Sequence, residues 1–139
     1  MIRSVAIAGS SLLMAALLAG CSSGESSGGG SGDPYAGHES QIQAWRDDIE
    51  AGHPACAAKV DGKGCQDFQV MCKAAQDLTP EDTARGATAK LVAAMTFAGR
   101  NEDGSTGKSG SSFAYLIRTP QGWTREDSKP VNMTTCAPL

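Results

Sequence analysis

Cys56, Cys65, Cys72 and Cys136 lie in the part of this 139-residue chain that follows its N-terminal apolar run, where large apolar side chains are few. A domain of that size buries a modest share of its surface, so covalent staples supplement a thin core. Four cysteines in a small exported domain read as two disulfides, which persist only in an oxidising compartment. Three pairings are possible. Narrowing them requires the compartment, the fifth cysteine and the secondary structure.

The fifth cysteine, Cys21, closes a different kind of segment. Met1–Ser4 carries one positive charge, Arg3, and an apolar run of small and aliphatic residues follows from Val5 to Leu18. A short basic start, an apolar stretch and small residues before a cut mark a secretory signal peptide. The run is short for a membrane-spanning helix, which needs ~20 apolar residues. Leu18-Ala19-Gly20-Cys21 resembles the lipobox of bacterial lipoproteins. The resemblance covers residues 1–21 and implies removal of residues 1–20, diacylglycerol on the Cys21 thiol and acylation of the new amino terminus. Each buried methylene contributes ~0.8 kcal/mol and two or more chains hold stably, so the partner implied is a membrane. By the family's sorting rule, Ser22 implies the outer membrane, facing the periplasm. Beyond the lipobox, the chain resembles small envelope lipoproteins in general style, without a named family.

Residues 21–37 read as the lipidated cysteine and a tether. Serine and glycine dominate, and such a stretch cannot bury enough apolar surface to offset its ordering entropy. It spans roughly 20–24 Å on average. Residues 38–139 then form the folded domain. The chain has 12 basic residues, 11 once Arg3 is removed, against 15 acidic ones. That balance offers no electrostatic footprint for nucleic acid or an anionic surface.

The expected architecture is α+β: two N-terminal helices and a short third packed on a three-stranded antiparallel sheet. Ser40 with Gln43 fits a capping box, Ile42, Trp45 and Ile49 share a face, and Gly52 and Pro54 stop the first helix. Asp33-Pro34 offers an earlier start. Asp61-Gly62-Lys63-Gly64 is a turn. Phe68, Met71, Cys72 and Ala75 at helical spacing predict a second helix over 66–77. Thr79-Pro80-Glu81-Asp82 starts a short third, ended by Gly86. Alternation from Ala89 to Phe97 predicts a strand, with a helix as the alternative. A mobile glycine-rich hairpin loop over 99–110, a strand over 113–118, a turn at Thr119–Gly122 and a third strand from Trp123, resuming at Val131–Cys136, complete the plan.

Provided the second helix reaches back to Cys65, Cys65 and Cys72 lie about 10.5 Å apart along it, beyond the roughly 7 Å a disulfide spans. They do not pair, which also removes Cys56–Cys136. Cys56–Cys65 with Cys72–Cys136 is preferred; Cys56–Cys72 with Cys65–Cys136 stays open.

Reactive constellations are sparse. Gly104-Ser105-Thr106-Gly107-Lys108-Ser109 is a poor phosphate loop, since it lacks the first glycine and a following helix, and reads as a solvated loop. His53 with Cys56, Cys65 and Cys72 lacks the close cysteine pairs of structural zinc. His38 or His53 beside Asp47, Asp48 or Glu50 is the only acid–base arrangement. Trp45 and Trp123 read as core, and Asn132-Met133-Thr134 as a chance glycosylation triplet. No cofactor is implied. The leading functional reading is a non-enzymatic accessory or interaction module with an envelope protein as partner. The alternatives are a small envelope hydrolase with a site near His53, and a small-ligand-binding module.

Overall fold

The computed structural model describes residues 32–139. The expected signal peptide, Cys21 and most of the tether lie outside the described residues. Asp33 accepts the Tyr35 amide on Oδ1 at 2.9 Å, and a run of turns leads into α1 (Glu39–Gly52), which buries Trp45 and Ile49. The capping box expected at Ser40 is absent. The cap position is His38, which makes no side-chain cap bond. Its ring is buried, with Nδ1 2.7 Å from the Tyr35 carbonyl oxygen and Nε2 2.8 Å from Lys73 Nζ. The carbonyl can only accept, so Nδ1 carries the proton and Nε2 accepts from the ammonium.

A 3₁₀ turn at Pro54–Cys56 and an Asp61-Gly62 turn, both residues at positive φ and closed by a Val60–Lys63 bridge, lead to the sheet. Four strands follow, β1 (Cys65–Ala75), β2 (Ala89–Arg100), β3 (Thr106–Thr119) and β4 (Gly122–Asp127). They pair in chain order, all antiparallel. Between β1 and β2 sits α2 (Pro80–Ala84), where Thr79 and Asp82 form a reciprocal capping box with Pro80 in the first turn.

The expected α+β plan is therefore corrected: among the described residues the chain is mostly β, with one helix of substantial length on a four-stranded sheet. The predicted second helix is strand β1. Phe68 and Val70 pack on the α1 side with Trp45, Met95 and Phe97, whereas Cys72 and Ala74 pack on the other side with Val92 and Ala94. Val70 pairs with Met95 and Cys72 with Ala94, so Met71 is the extra residue of a bulge that turns the strand over. Helical spacing and a bulged strand place apolar residues at the same positions here. The hairpin also differs from expectation, because β2 and β3 extend inward until only residues 101–105 connect them.

Both faces of the sheet are covered. One carries α1, and the other carries α2 and the C-terminal segment, whose Val131 and Cys136 are buried. This double cover makes β2 a central strand buried on both sides, rather than half-buried. The expected strand at Val131–Cys136 is instead a turn: Asn132 Oδ1 accepts the Thr134 and Thr135 amides, and the Asn132 carbonyl accepts the Cys136 amide.

Disulfides join Cys56 to Cys65 and Cys72 to Cys136. This is the pairing the sequence favours, although Cys65 and Cys72 lie on a strand and not a helix. On a strand, seven residues separate Cys65 and Cys72 by about 23 Å, and the two side chains lie on opposite faces of the sheet. The first bridge lies under α1 and the second under the C-terminal segment.

Candidate functional site

His53 follows α1, where the chain turns sharply into the 3₁₀ segment. That segment lies directly on the β2–β3 hairpin. A Cβ at Gly99 would stand 2.1 Å from the Ala55 carbonyl oxygen, and one at Gly64 would stand 1.8 Å from that of Cys56. Only glycine admits backbone this close. His53 Nδ1 accepts the Ala55 amide at 3.1 Å, and its ring packs edge-on against Phe97 at 4.7 Å between centroids. In the neutral ring the proton is therefore on Nε2.

Two clefts border His53. The first, of about 270 Å³, lies between α1 and strands β3 and β4 and includes Trp45, Asp48, Ser112, Arg125 and Asp127. Its polar groups are largely engaged with one another. Arg125 Nη2 lies 2.6 Å from Asp48 Oδ2, and the Trp45 indole donates to Ser112 Oγ at 3.1 Å. Trp45 is 2% exposed and forms a wall, not a platform.

The second cleft, of about 480 Å³, lies on the other side of the 3₁₀ segment. Pro54, Ala55, Ala57 and Ala58 supply an apolar side, and Arg100, Asn101, Lys108 and Ser109 a polar one. No carboxylate lines it. The volume falls within the ~300–1,000 Å³ typical of small-molecule sites.

The remaining sequence candidates are placed as follows. Among the described residues no hydrogen bond joins His53 to a carboxylate or to Ser112. His38 Nδ1 stands 3.8 Å from Glu39 Oε1, outside hydrogen-bond range. Asp47 accepts from Gln43 on the helix surface. Glu50 has a different role. Its Oε1 accepts the Gly64 amide and the Lys59 ammonium, and its Oε2 accepts the Cys65 amide at 2.8 Å. Burial opposes ionisation of this carboxyl, but those donors together outweigh it and hold its pKa below the ordinary value. Glu50, Cys56 and Cys65 bring potential ligand atoms within 4.8 Å of one another. The two sulfurs are bonded to each other and the carboxylate is held by two amides, so this set supplies no metal site in the oxidised protein.

Asp82 is a fully buried carboxylate that no reactive motif in the sequence marks. Lys90 Nζ at 2.7 Å and the Thr79 amide at 3.0 Å outweigh its burial, and Arg85 adds a contact at 2.8 Å. Its carboxyl is held far below the usual range. The network is fully partnered and structural. Arg100 was missed as well, and Lys108 was read as part of a solvated loop. No motif joins them; the hairpin alone brings them to one cleft. Among the described residues, no helix is long and apolar enough to cross a membrane.

No family model matches the chain, and neither the curated proteins nor the solved structures contain a match to it.

Proposed function

We propose that the chain is a lipid-tethered, non-enzymatic accessory module of the bacterial cell envelope, held to the outer membrane through Cys21 and acting by binding. The lipobox resemblance supports the tether, and two disulfides in a small domain fit an oxidising compartment. One observation carries the non-enzymatic part. His53 and Ser112, the groups a hydrolase would need, are each bonded to the fold, to the Ala55 amide and the Trp45 indole, and not to each other. A second reading, small-ligand binding, is favoured by the carboxylate-free cleft beside His53.

Two measurements test the proposal. Mass spectrometry of the native product should find an N-terminus at Cys21 bearing acyl chains; an unmodified Cys21, or retained Met1, overturns the tether. Crosslinking in cells should capture an envelope protein in stoichiometric yield, unaffected by His53→Ala. Capture of nothing, together with an ester- or amide-cleaving activity abolished by His53→Ala, would favour the hydrolase instead.

A further inference from the structure

The cleft between the 3₁₀ segment and the β2–β3 hairpin differs from its neighbours in its charge. Arg100 and Lys108 both line it, and neither makes an ion pair among the described residues. Arg100 Nε is buried with no hydrogen-bond partner, as is Arg46 Nε beside the adjoining cleft. A buried guanidinium N–H left unbonded costs stability unless something accepts from it. Ser109 adds a hydroxyl, and His53 borders the cleft with its Nδ1 already occupied, leaving Nε2–H as donor. Asn101 contributes no donor, because its amide group bonds to Ser105 and Thr106. The adjoining cleft under α1 also holds Arg100, but there Asp47, Glu50 and Asp67 offset Arg46 and Lys63.

We infer that the His53–Arg100–Lys108–Ser109 cleft is a binding site for a phosphate group carried on a small molecule. Guanidinium, ammonium, hydroxyl and imidazole N–H together offer more donors than the two oxygens of a carboxylate use, and suit the three terminal oxygens of a phosphate monoester. Pro54, Ala55, Ala57 and Ala58 provide an apolar wall for the rest of the molecule. The phosphate could arrive on a soluble compound or on a lipid headgroup. Placement favours the soluble source. The chain enters the fold where Pro34 and Ala36 accept from Arg118 and Trp123. Arg118 pairs with Ala89 at the opposite end of β2 from Arg100, about 36 Å away along the strand. A tether leaving from that end sets the cleft on the far side of the domain.

This deepens the ligand-binding reading and rests on it. The test is a titration of the full chain in non-ionic detergent with inorganic phosphate, with acetate, and with micelles doped with phosphatidic acid, whose headgroup is a phosphate monoester, followed by amide chemical shifts. Saturable shifts at residues 53–58 and 100–109 with phosphate, weaker with acetate, support the site. Lys108→Ala should weaken that response about tenfold, while Lys129→Ala, an exposed cation elsewhere, leaves it unchanged. A response to phosphatidic acid alone, lost in Lys108→Ala, supports the chemistry with a lipid source. Equal response to acetate, retention in Lys108→Ala, or no response overturns the site. Lys108 is exposed, so its variant folds even if Arg100→Gln does not, and melting curves verify this. None of these outcomes depends on a protein partner, so failure here leaves the crosslinking result standing.

Discussion

At the scale of single residues, two carboxylates each tie separate parts of the fold together. Glu50 fastens the end of α1 to the start of β1 by accepting two consecutive amides, of Gly64 and Cys65, and so holds the loop closed by Cys56–Cys65 against the helix. Its replacement by alanine leaves both amides without their acceptor in a half-buried place. The expected cost is about 1–3 kcal/mol, read as a lower urea midpoint with the slope unchanged. Glu50→Gln should recover part of it, since an amide oxygen can serve one of the two donors. Asp82 is the counterpart on the other face and is 2% exposed. Asp82→Ala strands the Lys90 ammonium in the interior and should cost about 3–5 kcal/mol. If either alanine variant melted like the parent, the hydrogen bonds assigned to that residue would not matter to the fold.

At the scale of elements, the C-terminal segment is attached chiefly by one bond. It forms no strand, buries little besides Val131, Met133 and Cys136, and reaches the sheet through Cys72–Cys136, which closes a loop of 64 residues. In the chain-entropy model that bridge contributes about 4 kcal/mol, against about 2.5 for the 9-residue Cys56–Cys65 loop. The double variant Cys72→Ser/Cys136→Ser should therefore melt on the order of 15–30 °C lower, and the loss should exceed that of Cys56→Ser/Cys65→Ser. The reverse order would mean that the segment is held by packing alone. How far these elements could be read in the sequence follows from how local their causes are. The Thr79–Asp82 cap and the Asp61-Gly62 turn are fixed by adjacent residues and stand where the sequence places them. β2 is also a strand where the sequence places one, although cover on both faces replaces the half-buried alternation expected there. β1 fails because its apolar residues serve both faces, with a bulge at Met71, 42% exposed, between them. Nothing local distinguishes that pattern from a helix. His38 is the converse case: its side chain is engaged by Lys73, 35 residues on, a contact no local pattern shows. The cleft beside His53 was unreadable for the same reason, since Arg100 and Lys108 meet only through the hairpin.

At the scale of the whole molecule, the two depressed carboxylates lie on opposite sides of the sheet and couple its stability to pH in the same sense. Glu50 and Asp82 both ionise more readily in the folded chain than at their ordinary values of 4.5 and 3.8. Each therefore contributes stability that is complete above its ordinary pKa and is lost as pH falls below it toward the folded value. Asp103, in the exposed hairpin, shifts the same way through its bonds to Ser105. No shifted carboxylate among the described residues opposes them, so the effects accumulate instead of cancelling. Stability should be nearly flat from pH 7 to about pH 5 and fall continuously below that. Because α1 and the C-terminal segment cover separate faces through separate bridges, the acid limb also tests whether the two halves of the core unfold together. Asp82→Asn removes the titrating group on the α2 side and should flatten that limb while lowering the plateau, whereas Glu50→Gln should flatten it less. Urea midpoints at half-unit intervals from pH 7 to 2, followed by both tryptophan fluorescence and far-ultraviolet circular dichroism, decide the matter. Coincident curves mean one cooperative unit. Stability that rises on acidification would contradict the direction argued for both carboxylates.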